Sequence, residues 1–362
     1  MLPEKTPALP SIFPMHDTLT PPLTPPTGLS PQELEAAVAH FRETFGRVKS
    51  EVQKAVVGQD EIVEYTLIAM IAGGHVLLEG VPGLGKTLLV RSIAGTLRLQ
   101  FQRIQFTPDL MPADLIGTRL LVEEGAGRSR FDFSPGPIFC NLLLGDEINR
   151  ATPKTQSALL EAMQEKSVTV GGETHLLQSP FSVLATQNPL EMEGTYPLPE
   201  AQLDRFFFKL KVPYPTEAEF DRILETTTQR HLPCPEPVFD GHELVNLGGL
   251  ARDCPIAPTL RKSAVALIMA THPESPGASA EIRRYVRYGA SPRAGQALIL
   301  AAKIRALLNG RFNVSHDDLL AGALPILRHR VMLNFEAQAD GLDADRILST
   351  VIEARREQWK NA

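Results

Sequence analysis

The stretch that decides the fold is Gly80-Val81-Pro82-Gly83-Leu84-Gly85-Lys86-Thr87, followed by Leu88. It matches G-x-x-x-x-G-K-[ST] at every fixed position, between an apolar run that predicts a strand and a helical pattern. The glycines let successive backbone N–H groups converge on phosphate oxygens at a helix N-terminus. Lys86 is expected to contact the β- and γ-phosphates and the Thr87 hydroxyl to ligate Mg²⁺. The stretch therefore predicts binding of ATP or GTP.

An apolar strand that ends in two acids follows later in the chain. Residues 141–147 read Asn-Leu-Leu-Leu-Gly-Asp-Glu, so Asp146 and Glu147 stand at the strand end. Asp146 is expected to hold Mg²⁺ through its water shell, and Glu147 to orient or deprotonate an attacking water. Two solvated acids ending a strand are the alternative. The upstream phosphate-binding loop favours hydrolysis.

Three further polar residues are candidates for the same chemistry. Asn188 follows another buried strand and is expected to hydrogen-bond the γ-phosphate or the lytic water; a turn-forming Asn before Pro is the alternative. Arg205, in Leu-Asp-Arg-Phe, and Arg293, in Ser-Pro-Arg-Ala, have few local partners. A guanidinium can stabilise the charge that develops in phosphoryl transfer. An ordinary salt bridge is the alternative for each arginine.

Apolar runs alternate with helical patterns over residues 75–215, which predicts a parallel sheet covered on both faces. The predicted strands are His75–Glu79, Phe101–Phe106, Phe139–Leu144, Phe181–Thr186 and Phe206–Val212, and the predicted helices include Thr87–Leu97 and Pro153–Gln164. Two predicted β-hairpins interrupt this alternation: Arg119–Glu123 with Arg128–Phe133, and Ser167–Val170 with Glu173–Leu176 around Gly171-Gly172.

Helical patterns dominate after residue 215. The predicted helices are Thr216–Thr226, Leu244–Arg252, Pro258–Thr271, Pro292–Leu308 and Ser315–Arg328. We therefore expect an α/β core over residues 32–215 and a smaller α-helical domain over residues 216–362. The first 31 residues hold nine of the thirty prolines, which predicts an extended, disordered segment.

Composition narrows the class of protein. The chain has 362 residues and a net charge of −6, which argues against a protein that mainly wraps nucleic acid. Three scattered cysteines are too few for a disulfide framework or a four-cysteine zinc site. The sequence has no apolar run of about 20 residues for a membrane span and no evident signal peptide. A cytoplasmic location is expected.

The ordered set of motifs resembles the AAA+ ATPases and, more narrowly, the MoxR family. The carrying segments are 57–59 (Val-Gly-Gln), 78–87, 106–112 (Phe-Thr-Pro-Asp-Leu-Met-Pro), 145–151 (Gly-Asp-Glu-Ile-Asn-Arg-Ala), 185–189 (Ala-Thr-Gln-Asn-Pro) and 194–206. The resemblance covers residues 35 to 335. It implies an AAA+ P-loop core with five parallel strands in the order 5-1-4-3-2, two inserted β-hairpins and a C-terminal α-helical lid domain.

The resemblance also implies roles for individual residues. Asn188 is similar to the sensor 1 residue, and Arg293 to a sensor 2 residue that reaches from the lid to the γ-phosphate. Arg205 resembles the arginine finger that completes a neighbouring subunit's site, with Arg150 as a rival for that role. Three residues are expected to line the adenine pocket: Val57, Gly58 and Gln59. The hairpins resemble the helix-2 and pre-sensor 1 inserts, which MCM helicases and magnesium chelatase subunits also carry.

The function that the resemblance implies is protein remodelling driven by ATP and Mg²⁺. Such proteins are similar to chaperones that form rings, most often hexamers, and work with a von Willebrand factor A domain partner. A nucleic-acid motor, a magnesium-chelatase motor subunit and a non-hydrolysing scaffold are the alternatives. The second hairpin tip, residues 170–174, carries no lysine or arginine to follow phosphates, so a nucleic-acid partner is not expected.

Overall fold

The computed structural model describes residues 30–124, 128–189, 194–230 and 233–360. The predicted disordered segment 1–31 lies outside the described residues except for its last two. Ser30 caps helix α1 (Pro31–Ala55) as its sequence predicts. The Ser30 hydroxyl accepts the Glu33 N–H at 3.3 Å, and the Glu33 carboxylate accepts the Ser30 N–H at 2.7 Å.

The elements that follow α1 build one parallel sheet with helices and two hairpins. In chain order they are α2 (Asp60–Ala72), β1 (Val76–Glu79), α3 (Lys86–Thr96), β2 (Phe101–Gln105), α4 (Pro112–Ile116), β3 (Gly117–Glu124), β4 (Arg128–Pro135), β5 (Leu142–Asp146), α5 (Pro153–Glu165), β6 (Ser167–Val170), β7 (Glu173–Leu176), β8 (Ser182–Gln187), α6 (Glu200–Leu203) and β9 (Phe208–Lys211).

The five-stranded sheet has the order β2-β5-β8-β1-β9 with every pair parallel. This confirms the predicted order 5-1-4-3-2. All of β5 is buried, as is β8 up to its last residue, which explains their near-continuous apolar sequences. Because the strands are parallel, their carboxyl ends share one edge of the sheet and their amino ends the opposite edge.

Both predicted hairpins are present. The β3–β4 ladder runs from Gly117↔Pro135 to Glu124↔Arg128, and so is longer than the predicted strands Arg119–Glu123 and Arg128–Phe133. In the β6–β7 hairpin, Gly171 and Gly172 have φ of +60° and +85°, which a two-residue turn requires and glycine adopts without strain. The Phe133 ring stacks on His175 at 3.9 Å between centroids, so the hairpins pack against each other.

The described part of residues 216–360 contains nine helices and two short strands. They are α7 (Glu217–Thr227), α8 (Gly241–Asp253), α9 (Pro258–Met269), α10 (Ala280–Tyr285), β10 (Val286–Tyr288), α11 (Pro292–Leu308), α12 (His316–Ala321), α13 (Ala323–Leu327), β11 (Met332–Leu333), α14 (Phe335–Ala339) and α15 (Ala344–Lys360). The antiparallel β10–β11 pair was not predicted, because strands of two or three residues leave no periodic signal.

The predicted single helix Ser315–Arg328 is wrong: it is two helices, α12 and α13, that meet at Gly322. Pro325 lacks the N–H that would bond to the carbonyl of Ala321 in a continuous helix. The Tyr65 hydroxyl donates to that carbonyl instead, at 2.5 Å. A residue 256 positions away therefore satisfies the group that the proline leaves unpaired.

The C-terminal helices pack against one face of the sheet. One apolar cluster contains sheet residues such as Leu78 together with Leu298 of α11 and Ile326 of α13. Arg305 of α11 also pairs with Glu64 of α2 at 3.2 Å. The α/β core and the helical domain therefore share a continuous buried interior, which fixes the positions of the residues they carry.

Candidate nucleotide-binding site

The phosphate-binding loop links β1 to α3 as expected. Gly83 and Gly85 have φ of +86° and +72°, and Gly85 caps α3. Lys86 Nζ donates to the carbonyl of Gly80 at 2.5 Å and to that of Val81 at 3.2 Å, so the loop closes around its own lysine. Burial lowers the pKa of Lys86, and the nearby carboxylates of the β5 end oppose that shift. The loop thus holds a cation where triphosphate oxygens would bind.

Gln59 ties the loop to the segment before α2. Its Nε2 donates to the Leu84 carbonyl at 2.7 Å, while its Oε1 is buried without a hydrogen-bond partner among the described residues. At Gly58, a Cβ would lie 2.6 Å from the Glu219 carboxyl carbon. The segment expected to line an adenine pocket therefore lies against both the loop and the start of α7, and it offers an unpaired acceptor.

The two acids at the end of β5 share one hydroxyl. Thr186 Oγ1 donates to Asp146 Oδ1 at 3.2 Å and accepts the Glu147 N–H at 2.9 Å. Glu147 has φ of +58° and ψ of +51°, a left-handed conformation that a residue other than glycine adopts at a cost. Thr186, which fixes both acids, was not among the predicted site residues.

Strand β2 supplies two more polar side chains. Arg103 Nε donates to Asp146 Oδ2 at 2.6 Å, and Gln105 Nε2 donates to Glu147 Oε2 at 2.9 Å. Arg150 Nη1 also lies 3.2 Å from Glu147 Oε2. Sequence reasoning missed Arg103 and Gln105, although their alternation on the strand beside the Asp-Glu strand was a usable signal.

These groups surround one cavity of about 200 Å³ at the carboxyl edge of the sheet. It is lined by Pro82, Gly83, Gly85, Lys86, Thr87, Arg103, Gln105, Asp146, Glu147, Thr186 and Asn188. Thr87 and Asp146 present the hard oxygen ligands that Mg²⁺ prefers. The loop amides and Lys86 suit phosphates. The residues present therefore fit a magnesium–triphosphate complex, and the predicted Asn188 lies among them.

The two predicted arginines lie elsewhere. Arg205 and Arg293 line a second cavity, of about 280 Å³, at the amino edge of the sheet next to Gly73 and His75. The Arg205 Nε is buried without a hydrogen-bond partner among the described residues. Arg293 Nη1 lies 3.7 Å from Asp204 Oδ2. The structure thus does not bring either arginine to the phosphate-binding loop of its own chain.

Asp204 connects the arginine-bearing segment to the helical domain. It accepts the Ser291 hydroxyl at 2.9 Å and the Arg330 Nε–H at 2.8 Å. Ser291 also caps α11, whose second residue is Arg293. Neither Ser291 nor Arg330 was predicted as a site residue. Ser291 lies 87 residues and Arg330 lies 126 residues from Asp204 along the chain, and no local pattern indicates contacts over such separations.

Comparison with known proteins agrees with this geometry. Residues 75–208 match the model of the ATPase family associated with various cellular activities, and residues 278–351 match the AAA lid domain. The chain is 42% identical over 350 residues to the chaperone MoxR1 of Mycobacterium tuberculosis, covering 96% of this chain and 88% of that protein. The chain belongs to the MoxR family of AAA+ ATPases.

Other MoxR-family relatives are similar over most of their length. The uncharacterised protein YeaC of Bacillus subtilis is 43% identical over 313 residues (86% of this chain, 93% of that protein). The protein MoxR of Methylorubrum extorquens is 32% identical over 315 residues (83% and 90%). A crystal structure of a Cytophaga hutchinsonii protein superposes with a TM-score of 0.82 at 40% identity, covering 89% of this chain and 97% of that one.

Among the described residues of this MoxR-family chain, none of the helices has the length and apolar character that crossing a membrane requires.

Proposed function

We propose that this MoxR-family chain is an ATP-hydrolysing chaperone. Its subunits join head to tail in a ring, and the expected ring is a hexamer. One observation carries the proposal. Lys86 and Glu147 lie at the carboxyl edge of the parallel sheet, whereas Arg205 and Arg293 lie at the amino edge. A complete site then needs the carboxyl edge of one subunit against the amino edge of the next.

Within one chain, the carboxyl-edge residues bind ATP and prepare the water. Lys86 and the loop amides bind the β- and γ-phosphates, and Thr87 and Asp146 hold Mg²⁺, which neutralises phosphate charge when bound. Glu147 orients or deprotonates the water, and Asn188 contacts the water or the γ-phosphate. Arg103 Nε donates to Asp146 Oδ2 and would therefore compete with Mg²⁺ for this carboxylate.

The neighbouring subunit supplies positive charge to the transferred phosphate. Arg205 lines the amino-edge cavity, and its buried Nε has no hydrogen-bond partner in the part of the chain that the structure describes; both observations support a role for this side chain in binding a group from another subunit. Arg150 instead pairs with Glu147 of the same chain, which favours Arg205 for the trans role. We extend the trans role to Arg293, which lines the same cavity as Arg205.

The proposed work on other proteins is supported by the chaperone relative and by the first hairpin. Its side chains Leu120, Leu121 and Phe131 are exposed, and apolar exposure on this scale suits a protein surface better than a phosphate backbone. A client and a von Willebrand factor A domain partner are the proposed partners. Stimulation of hydrolysis by DNA would favour a nucleic-acid motor instead, and activity on a magnesium porphyrin would favour a chelatase subunit.

A mixing experiment tests the shared site. Lys86→Ala and Arg205→Ala subunits are each expected to be inactive, but an equal mixture should recover about a quarter of wild-type ATPase activity, because one interface in four pairs the intact edges. The control mixture is Lys86→Ala with Glu147→Gln. Both changes lie on the same edge, so this mixture should stay inactive. Mixed rings with no recovery in the first mixture would contradict the proposal.

A capture experiment tests the chaperone role. The Glu147→Gln variant should hold ATP without turnover and retain its client in the ATP-bound state. Recovery of a specific protein only with ATP, and lost with Lys86→Ala, is the expected result. Recovery of nucleic acid alone would contradict the chaperone proposal.

A further inference from the structure

Helix α7 has an apolar ridge without a partner among the described residues. None of its residues is buried in the described chain. One side of the helix, with Glu219, Ile223 and Thr226, is half-buried against the rest of the chain. On the other side, Phe220 and Leu224 are 53% and 46% exposed. Phe220 and Leu224 are four residues apart, so their side chains lie side by side on the helix. We call this pair the α7 ridge.

The α7 ridge belongs to the nucleotide edge of the subunit. Helix α7 follows β9, so it starts at the carboxyl edge of the sheet. Val212, at the end of β9, packs against Gly80 of the phosphate-binding loop, and Glu219 packs against Gly58. The helix is therefore fixed beside the loop on the side that would meet the next subunit's arginines.

A matching cleft lies at the opposite edge. A cavity of about 590 Å³ opens between the end of α2, the segment before β8, and α8; its apolar lining includes Met70, Ile71, Leu177, Leu244, Val245 and Leu250. We call it the α2/α8 cleft. It shares Gly73 and Lys166 with the cavity of Arg205 and Arg293, so cleft and arginines form one continuous surface.

The charges of the two surfaces are complementary. Around the ridge, α7 exposes the acids Glu217, Asp221 and Glu225 against one base, Arg222. The cleft carries Lys166 and Arg252 against one acid, Asp253. The acidic helix with its apolar ridge is therefore complementary in charge and polarity to the basic cleft with its apolar lining.

We propose that the α7 ridge of one subunit occupies the α2/α8 cleft of the next copy of the chain. The inference rests on the proposed head-to-tail ring. Ridge and nucleotide loop lie at one edge of the sheet, and cleft and arginines lie at the other. When one subunit is placed so that its Arg205 approaches the phosphate-binding loop of a neighbouring subunit, its α2/α8 cleft therefore also approaches the α7 ridge of that neighbour. The occupant of the cleft is a second copy of this chain.

Disulfide cross-linking tests the contact directly. The background is Cys234→Ser, because the other two cysteines are buried. In the Phe220→Cys/Val245→Cys variant, mild oxidation with ATP and the Glu147→Gln change should give a ladder up to the ring size on a non-reducing gel. Phe335→Cys/Val245→Cys is the matched control: Phe335 is 82% exposed but lies on α14, and this pair should give no ladder.

Charge reversal gives a second, independent readout. Lys166→Glu should weaken subunit association about tenfold, and Asp221→Lys/Glu225→Lys should do the same. Combined in one chain, the changes should restore association to within about threefold of wild type, because opposite charges again face each other. The readout is oligomer mass against protein concentration.

The outcomes separate this inference from the ring itself. Rings that form by native mass measurement without the Phe220–Val245 cross-link and without charge-reversal rescue would overturn the docking contact and leave the proposed function standing. A chain that stays monomeric with every nucleotide would overturn both.

Discussion

Arg330 and Asp204 form a buried ion pair, with Nε 2.8 Å from Oδ1, that joins the helical domain to the segment carrying Arg205. Arg330 is only 7% exposed. Its guanidinium also donates to the carbonyls of Phe206, Phe207 and Ile326 at 2.5 to 3.2 Å. Burial lowers the pKa of Arg330, and Asp204 opposes that shift. One side chain thus provides hydrogen bonds to the backbone on both sides of Arg205 and links that segment to the helical domain.

Replacing Arg330 by Met should destabilise the fold strongly. The change leaves Asp204 without its buried partner and removes the Arg330 hydrogen bonds to three carbonyls, of which that of Phe206 keeps His329 Nε2 as a partner; the expected loss is about 3–5 kcal/mol in the free energy of unfolding. Arg330→Lys keeps the charge but not the planar set of donors. Its free energy of unfolding should therefore lie between those of the wild type and Arg330→Met. Urea unfolding measures the loss. Arg284→Met, which removes an exposed pair with Glu336, is the control and should unfold near the wild-type midpoint.

Glu147→Gln should separate binding from hydrolysis. The amide keeps the shape and the backbone bond to Thr186 but cannot accept a proton, so kcat should fall about 10²- to 10⁴-fold. ATP affinity should stay within about threefold, since Lys86 and the loop amides are unchanged. Turnover and nucleotide binding are measured separately. Glu161→Gln, on the exposed side of α5, should leave both unchanged; a normal rate in the Glu147 variant would remove this residue from the mechanism.

Arg103→Gln should lower the Mg²⁺ concentration needed for half-maximal ATPase activity. Arg103 Nε pairs with Asp146 Oδ2, an oxygen of the carboxylate that would hold Mg²⁺, so loss of this half-exposed ion pair should ease magnesium binding about two- to fivefold. A magnesium titration at fixed ATP measures the shift, with the exposed Arg91→Gln as control. A higher magnesium requirement together with a lower kcat would indicate that Arg103 itself contacts the nucleotide.

His75 should make the fold sensitive to acid. Its Nδ1 accepts the Val183 N–H at 3.0 Å and its Nε2–H donates to the Met163 carbonyl at 3.1 Å, so the buried ring is held neutral. Burial lowers the pKa of His75 from 6.5 to about 4. Below pH 6.5 the unfolded chain therefore binds a proton that the folded chain does not. Stability should fall as the pH drops from 6.5 to 4, by about 1.4 kcal/mol per pH unit.

The pH prediction is checked by denaturant unfolding at several pH values. His75→Gln should be less stable at pH 7 but should show a shallower loss between pH 6.5 and 4. The exposed His242→Gln is the control and should keep the wild-type slope. An unchanged slope in the His75 variant would assign the acid sensitivity to other groups, such as the buried His329, whose pKa burial also lowers.

The structural features that could be predicted from the sequence are those that depend on a local pattern of residues. The loop at Gly80–Thr87, the acids at the end of β5 and the turn at Gly171-Gly172 each follow from neighbouring residues, and the strand order follows from the family resemblance. Arg103 and Thr186 were missed because their roles depend on which strands flank β5. The break between α12 and α13 depends on Tyr65, a contact that spacing along the chain does not reveal.

The positions of Arg205 and Arg293 were the least predictable feature of the site. Their motifs are local, but their distance from the phosphate-binding loop depends on where the helical domain packs. That packing is decided by a shared apolar interior containing Leu298 and Ile326 and by the contacts of Asp204. The family resemblance implied that Arg293 reaches from the lid to the γ-phosphate, and in the structure Arg293 lines the same cavity as Arg205 at the amino edge.

The parallel strands have a consequence for stoichiometry. In the proposed head-to-tail assembly, the two halves of each site lie at opposite ends of the same strands, so an open chain of n subunits would contain n − 1 complete catalytic sites and a closed ring would contain n. Closure adds an active site without adding a subunit. In that assembly, ATP turnover per subunit would increase with the fraction of assemblies that are closed. A partner that opens one subunit interface would inactivate one site and leave the others active.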